Sequence, residues 1–381
     1  MNLLKRFAVP VACAMTVLAM AACSSTKDPR RDPVPLAEFK PVFKVEQAWR
    51  TSVGKAGRYF FSPVVVGEAV YAAGSNGTVV KIDGKTGRKL WSTKLHDDLT
   101  SGVGSDGTYT AVGAEKGGVE VLDADGKLLW KTTVPGEIVS PPLVGNGYVV
   151  VRTIDGQVSA FNASTGELRW QYRNRAVPLN LRVSAGMAFA AQAAVLAGFP
   201  GGSLSAINLK TGDDYWQAPV SFPKGVTEVE RINDVTGAPT LVGAEACAVT
   251  FQGRLGCFDA NSGQPVWEQP FSGVAGLAAD RTAVVAPDDW SVLQAFDASS
   301  GKLLWKNDQL KNRDLSTPYL LGPDVVVGDY KGYVHFLSRD DGKFLSRVKT
   351  DGSPITAAPV AVGDTLIVQT HDGELYGFVS H

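Results

Sequence analysis

The sequence predicts an all-β protein: an eight-bladed β-propeller of four-stranded antiparallel blades. Three observations carry this expectation. Tryptophans recur at Trp49, Trp91, Trp130, Trp170, Trp216, Trp267 and Trp305, at separations of 42, 39, 40, 46, 51 and 38 residues. From Trp91 onward a glycine stands four positions earlier (Gly87, Gly126, Gly166, Gly212, Gly263, Gly301), and the pattern runs on to Gly342 with Ser346 in the tryptophan's place. Between the tryptophans, short apolar runs alternate with glycine-bearing turn signals. A period near 40 with a fixed internal motif marks a repeat architecture, and four short strands per period mark a propeller. Helical repeats are excluded, because no window has apolar i, i+3, i+4 spacing and glycine interrupts too often.

Residues 1–22 have Lys5 and Arg6, an apolar run and then small residues, which is the pattern of a secretory signal peptide. Ala21-Ala22-Cys23 resembles the lipobox of bacterial lipoproteins, with Met20 where leucine is usual. That resemblance implies lipidation (palmitate among the chains) of Cys23, and Ser24 after it implies sorting to the outer membrane. Residues 23–44, rich in proline and charge, are expected to form the lipidated cysteine and a flexible tether. The propeller is assigned to 45–381.

VEQAWRTSV (45–53) is a fourth strand with its tryptophan but without the three strands before it. The C-terminal residues 354–379 supply three strands and stop. The N-terminal strand therefore completes the last blade, which closes the ring and leaves no free edge there. Residues 62–95 show one full period: SPVVV, AVYAAG, TVVKID and KLWSTKL, separated by Gly67-Glu68, Ser75-Asn76-Gly77 and Gly84-Lys85-Thr86-Gly87. Such turns need positive-φ positions that glycine and asparagine supply. Asp83, Asp123, Asn162, Asn208, Asp259 and Asp297 recur at one turn position and are expected to accept bonds from the turn's own amides. A four-stranded blade cannot bury both faces alone, so the recurring tryptophans are assigned to packing between blades.

Cys247 and Cys257 lie in one hairpin. A disulfide and a pair of buried small side chains both fit, because the sequence does not fix the register. Trp290, in Asp288-Asp289-Trp290, is off the lattice and is expected to stand where other blades have their second-turn glycine.

The 37 basic and 38 acidic residues give a net charge of −1, which offers no overall field for nucleic acid. The four histidines (His96, His335, His371, His381) lack clustered metal-ligand spacing. Nucleophile elbow, zincin and phosphate-loop motifs are all missing. No metal and no cofactor is expected.

The D-x-x-T-G-x-x-x-W repeat resembles that of the pyrroloquinoline-quinone dehydrogenases, which implies a propeller and, as an alternative, an enzyme. Those enzymes carry a vicinal disulfide and inserted loops that this chain lacks. With T-E-V-E-R-I-N-D-V (227–235) and V-V-V-G-D-Y-K-G-Y-V-H-F-L (325–337), the whole chain resembles the BamB family, lipoprotein propellers of the outer-membrane β-barrel assembly machinery. That resemblance implies a non-catalytic scaffold without cofactor at the periplasmic face of the outer membrane. The implied partners are the POTRA domains of the barrel-forming subunit, the other assembly lipoproteins and nascent outer-membrane proteins.

Strand alternation puts the connections between blades on the same face as the turns between second and third strands. The two long periods carry their extra residues at 171–181 and 218–238, side by side on that face. Enlarged loops on a rigid scaffold are the usual place for recognition. Leu179, Leu181 and Arg182 match the Leu-x-Leu-Arg segment that the family uses to bind the barrel subunit. Glu228, Arg231 and Asp234 are the candidates on the second loop. Asp234 matches the first acid of the family's Asp-x-Asp, whereas Thr236 replaces the second. Leu181 is assigned either to contact or to core, and Arg182 either to the interface or to a pair with Asp234. A third reading, an envelope polysaccharide-binding propeller, would use Trp290 as its exposed platform.

Overall fold

A computed structural model describes residues 32–174, 177–190 and 193–381. The signal peptide, Cys23 and the first part of the tether lie outside these residues. The described chain forms eight four-stranded antiparallel sheets. Seven blades run in chain order at 64–94, 99–133, 143–173, 187–219, 235–271, 278–307 and 319–349. The eighth is composite. Strand Val45–Ser52 pairs with Glu374–Ser380, from Val45 opposite Ser380 to Ser52 opposite Glu374. The first strands of blades 1–7 approach one another in order, and that of blade 8 approaches that of blade 1. They therefore line a central axis, with fourth strands outermost.

Burial follows the seams between blades. Eight apolar clusters form, each drawn from two neighbouring blades; one, for example, joins Val70 and Val80 of blade 1 to Val362 and Ile367 of blade 8. Each tryptophan acts across its seam. The indole Nε1 of Trp49 donates to the Gly84 carbonyl at 3.1 Å, Trp170 to Leu209 at 2.8 Å and Trp267 to Ala298 at 2.7 Å. In every case the acceptor belongs to the next blade's turn between third and fourth strands.

The motif glycine lies under the same ring. A Cβ on Gly87, Gly126, Gly166, Gly212, Gly263, Gly301 or Gly342 would come within 2.4–2.9 Å of the preceding blade's indole. These glycines also hold φ between +68° and +80°, where other residues are disfavoured. The glycine and tryptophan that neighbour each other in sequence therefore serve two different seams. A β-bulge between third and fourth strands recurs just before each tryptophan, as at Ala160/Phe161 and Ala295/Phe296. The extra residue turns the ring out of its own sheet toward the neighbour.

The turn acids cap as expected. Asp83 Oδ1 accepts from the Lys85 and Thr86 amides at 3.1 and 2.9 Å, and Asp259 Oδ1 from Asn261 and Ser262 at 3.1 and 2.8 Å. The register places Cys247 directly opposite Cys257, and the disulfide is formed. Two expectations are corrected. Residues 34–44 are not a free tether: they lie along the outer edge of blade 7, where the Val42 amide donates to Leu345 at 2.8 Å. The second-turn glycine position of blade 6 is held by Ser291 at φ +62°, not by Trp290, which precedes it.

Blade 7 contains a buried polar chain. Asp329 Oδ2 accepts from Arg313 Nε and Nη2 at 2.8 and 2.7 Å, and its Oδ1 from the Lys331 and Tyr333 amides. Arg347 Nε donates to His335 Nδ1 at 3.0 Å. That leaves the imidazole proton on Nε2, 3.1 Å from Asp329 Oδ2. Burial holds His335 below its ordinary value near 6.5, against the pull of Asp329. Burial pushes Asp329 up, but the His335, backbone and Arg313 donors outweigh it and hold the carboxyl low.

Two predictions follow from these contacts. Trp267→Ala removes a buried indole and should cost about 3–5 kcal/mol in urea denaturation; a loss under 1 kcal/mol would contradict the wedge role. Below about pH 6.5 the unfolded chain binds a proton at His335 that the folded chain refuses, so stability declines as pH falls through that value. Melting temperature against pH should show this decline in the native chain and a flatter profile in His335→Gln.

Candidate functional site

The two enlarged connections, 174–186 and 220–234, meet on one face beside blade 4. Asp234 is their joint. Its Oδ2 accepts from the Leu181 amide at 2.6 Å and its Oδ1 from the Gly201 amide at 3.1 Å. One carboxylate thus ties the first connection, the second-to-third-strand turn of blade 4 and the start of blade 5. It is only 3% exposed. Burial pushes its carboxyl up, opposed by the two amides and by the charge of Arg152. Arg152 lies fully buried below, its guanidinium lowered by burial to about 10, and stays charged at neutral pH.

Within residues 177–186 of the first connection, Asn180 and Ala185 are held by the same kind of contact. Asn180 Nδ2 donates to the Ile154 carbonyl at 3.0 Å. Ser140 Oγ and Arg152 Nη1 both reach the Ala185 carbonyl, at 2.9 and 3.4 Å. This leaves Leu179 standing out, 43% exposed. Leu181 is half-buried, over a small cavity that also borders Arg152 and Asp234. Arg182 is exposed and makes a two-pronged pair with Glu137, whose Oε2 is 3.2 Å from Nε. Its guanidinium lies 5.2 Å from the centre of the Tyr59 ring. The bond from Arg182 holds the Glu137 carboxyl below its usual range.

The second connection is a pinned helical turn. Glu230 accepts from the Val226 and Thr227 amides at 2.9 and 3.0 Å, and Thr227 Oγ1 accepts from the Glu230 amide at 3.3 Å. This is a reciprocal cap of the T-x-x-E type. Ile232 anchors the turn from inside, and Asn233 Nδ2 bonds Ser221 Oγ at 3.0 Å. Glu228 and Arg231 face solvent. So do Phe222, Val229 and Val226, the last 94% exposed.

Four of the six expected loop residues are therefore on the surface: Leu179, Arg182, Glu228 and Arg231. Asp234 is corrected from a surface contact to a buried support that positions Leu181, because its two oxygens are taken up by backbone amides. Arg182 pairs with Glu137 and not with Asp234. Thr236 is buried, and its hydroxyl donates to the Gly273 carbonyl at 2.8 Å. Sequence reasoning missed Tyr59 and Glu137, which reach Arg182 from two other connections. It also missed Phe222, Val226 and Val229, although apolar residues within the polar stretch SFPKGVTEVER were a readable signal.

The central channel encloses about 610 Å³ and is bordered by small and apolar residues such as Ser62, Val103 and Gly186, with Asp288, Asp289 and Asp314. Its lining does not include the disulfide. No group of metal-ligating side chains occurs among the described residues. Lys311 Nζ lies 5.2 Å from the centre of the Trp290 ring, so a cation already sits over a face of that candidate platform.

Asp234→Ala would leave two partly buried amides without acceptors, at about 1–3 kcal/mol each. The expected outcome is a loss of about 2–5 kcal/mol in chemical denaturation. Unchanged stability with impaired partner binding would return Asp234 to the surface role.

Comparison with known proteins agrees with this geometry. A family profile described as outer membrane protein assembly factor BamB matches residues 46–101, 75–307 and 288–380. The BamB protein of Burkholderia pseudomallei is 71% identical over 378 residues, covering 99% of each chain. That of Bordetella pertussis is 42% identical and covers 94% of each. The crystal structure of BamB from Moraxella catarrhalis superposes with a TM-score of 0.80 at 26% identity, over 88% of this chain and 100% of that one. A quinohemoprotein alcohol dehydrogenase from Comamonas testosteroni gives 0.68 at 16% identity, over 88% of this chain and 76% of that one, which is a likeness of fold alone.

Proposed function

The chain belongs to the family of the outer membrane protein assembly factor BamB, and from that premise we propose that its two enlarged loops are the docking surface for the barrel-forming subunit. As a BamB protein it is a non-catalytic factor in outer-membrane β-barrel assembly. The quinone-dehydrogenase alternative is thereby set aside.

The observation that supports the docking surface is the combination of rigidity and exposure. Leu179, Phe222, Val226 and Val229 are exposed on loops whose backbone is held by Asp234, Asn180 and the Thr227–Glu230 cap. Apolar side chains displayed on pre-ordered loops bind without a large ordering cost. Arg182 adds the residue type enriched at binding hot spots, while Glu228 and Arg231 form the polar rim. The partner surface is the POTRA region of the barrel subunit, with the other assembly lipoproteins in the same complex. Cys23 carries the lipid that holds the protein at the periplasmic face of the outer membrane. The polysaccharide reading has less support, because Lys311 lies over Trp290.

Leu179→Ala with Arg182→Ala should abolish co-purification with the barrel subunit from detergent-solubilised envelopes, at unchanged melting temperature. Val226→Asp with Val229→Asp should do the same from the second loop. Undiminished co-purification by both pairs would remove this face from the interface. Labelling with radioactive palmitate, present in the native chain and lost in Cys23→Ala, tests the anchor separately.

A further inference from the structure

Seven seams of the ring carry a tryptophan wedge, and the seam between blades 7 and 8 carries none. The reason is topological. A wedge rests on the next blade's turn between third and fourth strands, and in blade 8 that turn is replaced by the two chain ends. Ser346 stands where the indole would be, buried, and its Oγ donates to the Phe43 carbonyl at 3.0 Å. Phe43 packs edge-on against Phe336, with ring centres 5.7 Å apart, and joins the apolar cluster of this seam. The missing wedge is thus filled by the segment that precedes the first strand.

That segment is fastened along its length. The Val34 amide donates to the Lys311 carbonyl at 3.1 Å, and Arg313 Nη1 donates to the Val34 carbonyl at 3.1 Å. Arg347 Nη1 donates to the Ala37 carbonyl at 3.1 Å. Leu36 packs on the cluster between blades 6 and 7. Phe39 stacks on Phe344 at 5.2 Å, with the Arg347 guanidinium 5.0 Å from its ring. At the far end the Lys44 amide and the His381 carbonyl pair at 3.3 Å, and the reverse bond is 3.0 Å. Arg313 and Arg347 are the two guanidiniums of the buried Asp329–His335 chain, so the strap is bonded to groups that blade 7 already holds rigid.

The direction of the strap matters. Lys311 and Arg313 lie in the connection between blades 6 and 7, on the face that carries the enlarged loops. Lys44 lies at the opposite face, where Val45–Ser52 begins. The strap therefore enters at the loop face and crosses the rim to the other side. Ten residues separate Cys23 from Val34, and such a stretch spans at most about 33–36 Å.

We propose that residues 34–44 form a latch that replaces the eighth wedge and fixes the anchor's point of departure on the rim of the loop face, so that this face is the one held toward the membrane. The inference rests on the proposed anchor at Cys23 for its orientation half, and on the contacts of residues 34–44 alone for its latch half.

The test uses the mature chain with Cys23 coupled to a maleimide lipid in phosphatidylethanolamine–phosphatidylglycerol vesicles, so it does not depend on lipidation in the cell. A fluorophore is attached through an encoded azide at position 224 on the loop face or at 210 in the opposite turn of blade 4, with an acceptor dye in the bilayer. Energy transfer should be at least twofold greater from 224 than from 210, and the difference should vanish when residues 34–43 are replaced by a Gly-Ser linker of equal length. Hydrogen exchange should show the Val42 and Lys44 amides, which donate to the Leu345 and His381 carbonyls, protected at least tenfold over the same amides in Leu36→Ala/Phe39→Ala/Phe43→Ala, with the remaining strands of the ring still protected. Exchange of the Val42 and Lys44 amides at the unfolded-chain rate would overturn the latch. Equal transfer from both positions, or a difference that survives the linker, would overturn the orientation. Neither result bears on whether Cys23 is lipidated in the cell.

Discussion

The structure depends on one repeated contact, an indole laid flat on a glycine of the neighbouring blade. The ring face needs a partner without a Cβ, and the turn needs a residue that tolerates positive φ; glycine meets both demands at once. The indole Nε1 then satisfies a turn carbonyl that the seam would otherwise bury without a donor. Because each of blades 1–6 offers a glycine to one neighbour and a tryptophan to the other, the contact can be repeated around a circle but not within a single sheet. Among the described residues burial is correspondingly divided into eight seams. The recurring bulge before each tryptophan is the backbone adjustment that lets a fourth-strand side chain leave its own sheet.

The same rule explains where the ring is unusual. A closed circle built from one open chain must place its ends in some blade, and that blade loses a turn. The seam that faces the lost turn cannot use a tryptophan, and here it has Ser346 and a segment from outside the repeat instead. Closure by the strand Val45–Ser52 and cover by residues 34–44 are two parts of one solution. The buried Asp329–His335 chain belongs to it as well, since its two arginines reach both inward and to the strap.

The candidate binding face uses the scaffold in a different way. Ring contacts hold the blades and leave the connections free to vary in length, and the two longest are those on either side of blade 4. Their stiffness comes from local polar contacts, with Asp234 as the joint and the Thr227–Glu230 cap as a second pin. A buried carboxylate there gives the first loop its shape, while the apolar tips remain outside. Function in this family rests on display, and the chemistry of the site is that of presenting side chains in fixed positions.

The order of strands, the number of blades, the closing role of the N-terminal strand and the capping turns were all legible in the chain, because each is a local or periodic property. Spacing of indoles reports blade number directly, and turn residues report their own dihedrals. The position of the enlarged loops was legible too, from the two long periods. Three things were decided only by the tertiary structure. Each glycine serves the preceding tryptophan and not the one beside it in sequence, since the partners lie on different blades. Asp234 is a buried support and Arg182 pairs with Glu137, because the packing of successive blades brings together connections 45 residues apart. Cys247 meets Cys257 because the hairpin turn sets a register that places them opposite each other, and residues 34–44 lie on blade 7 through contacts 303 and 310 residues away in the chain, of which linear spacing carries no record.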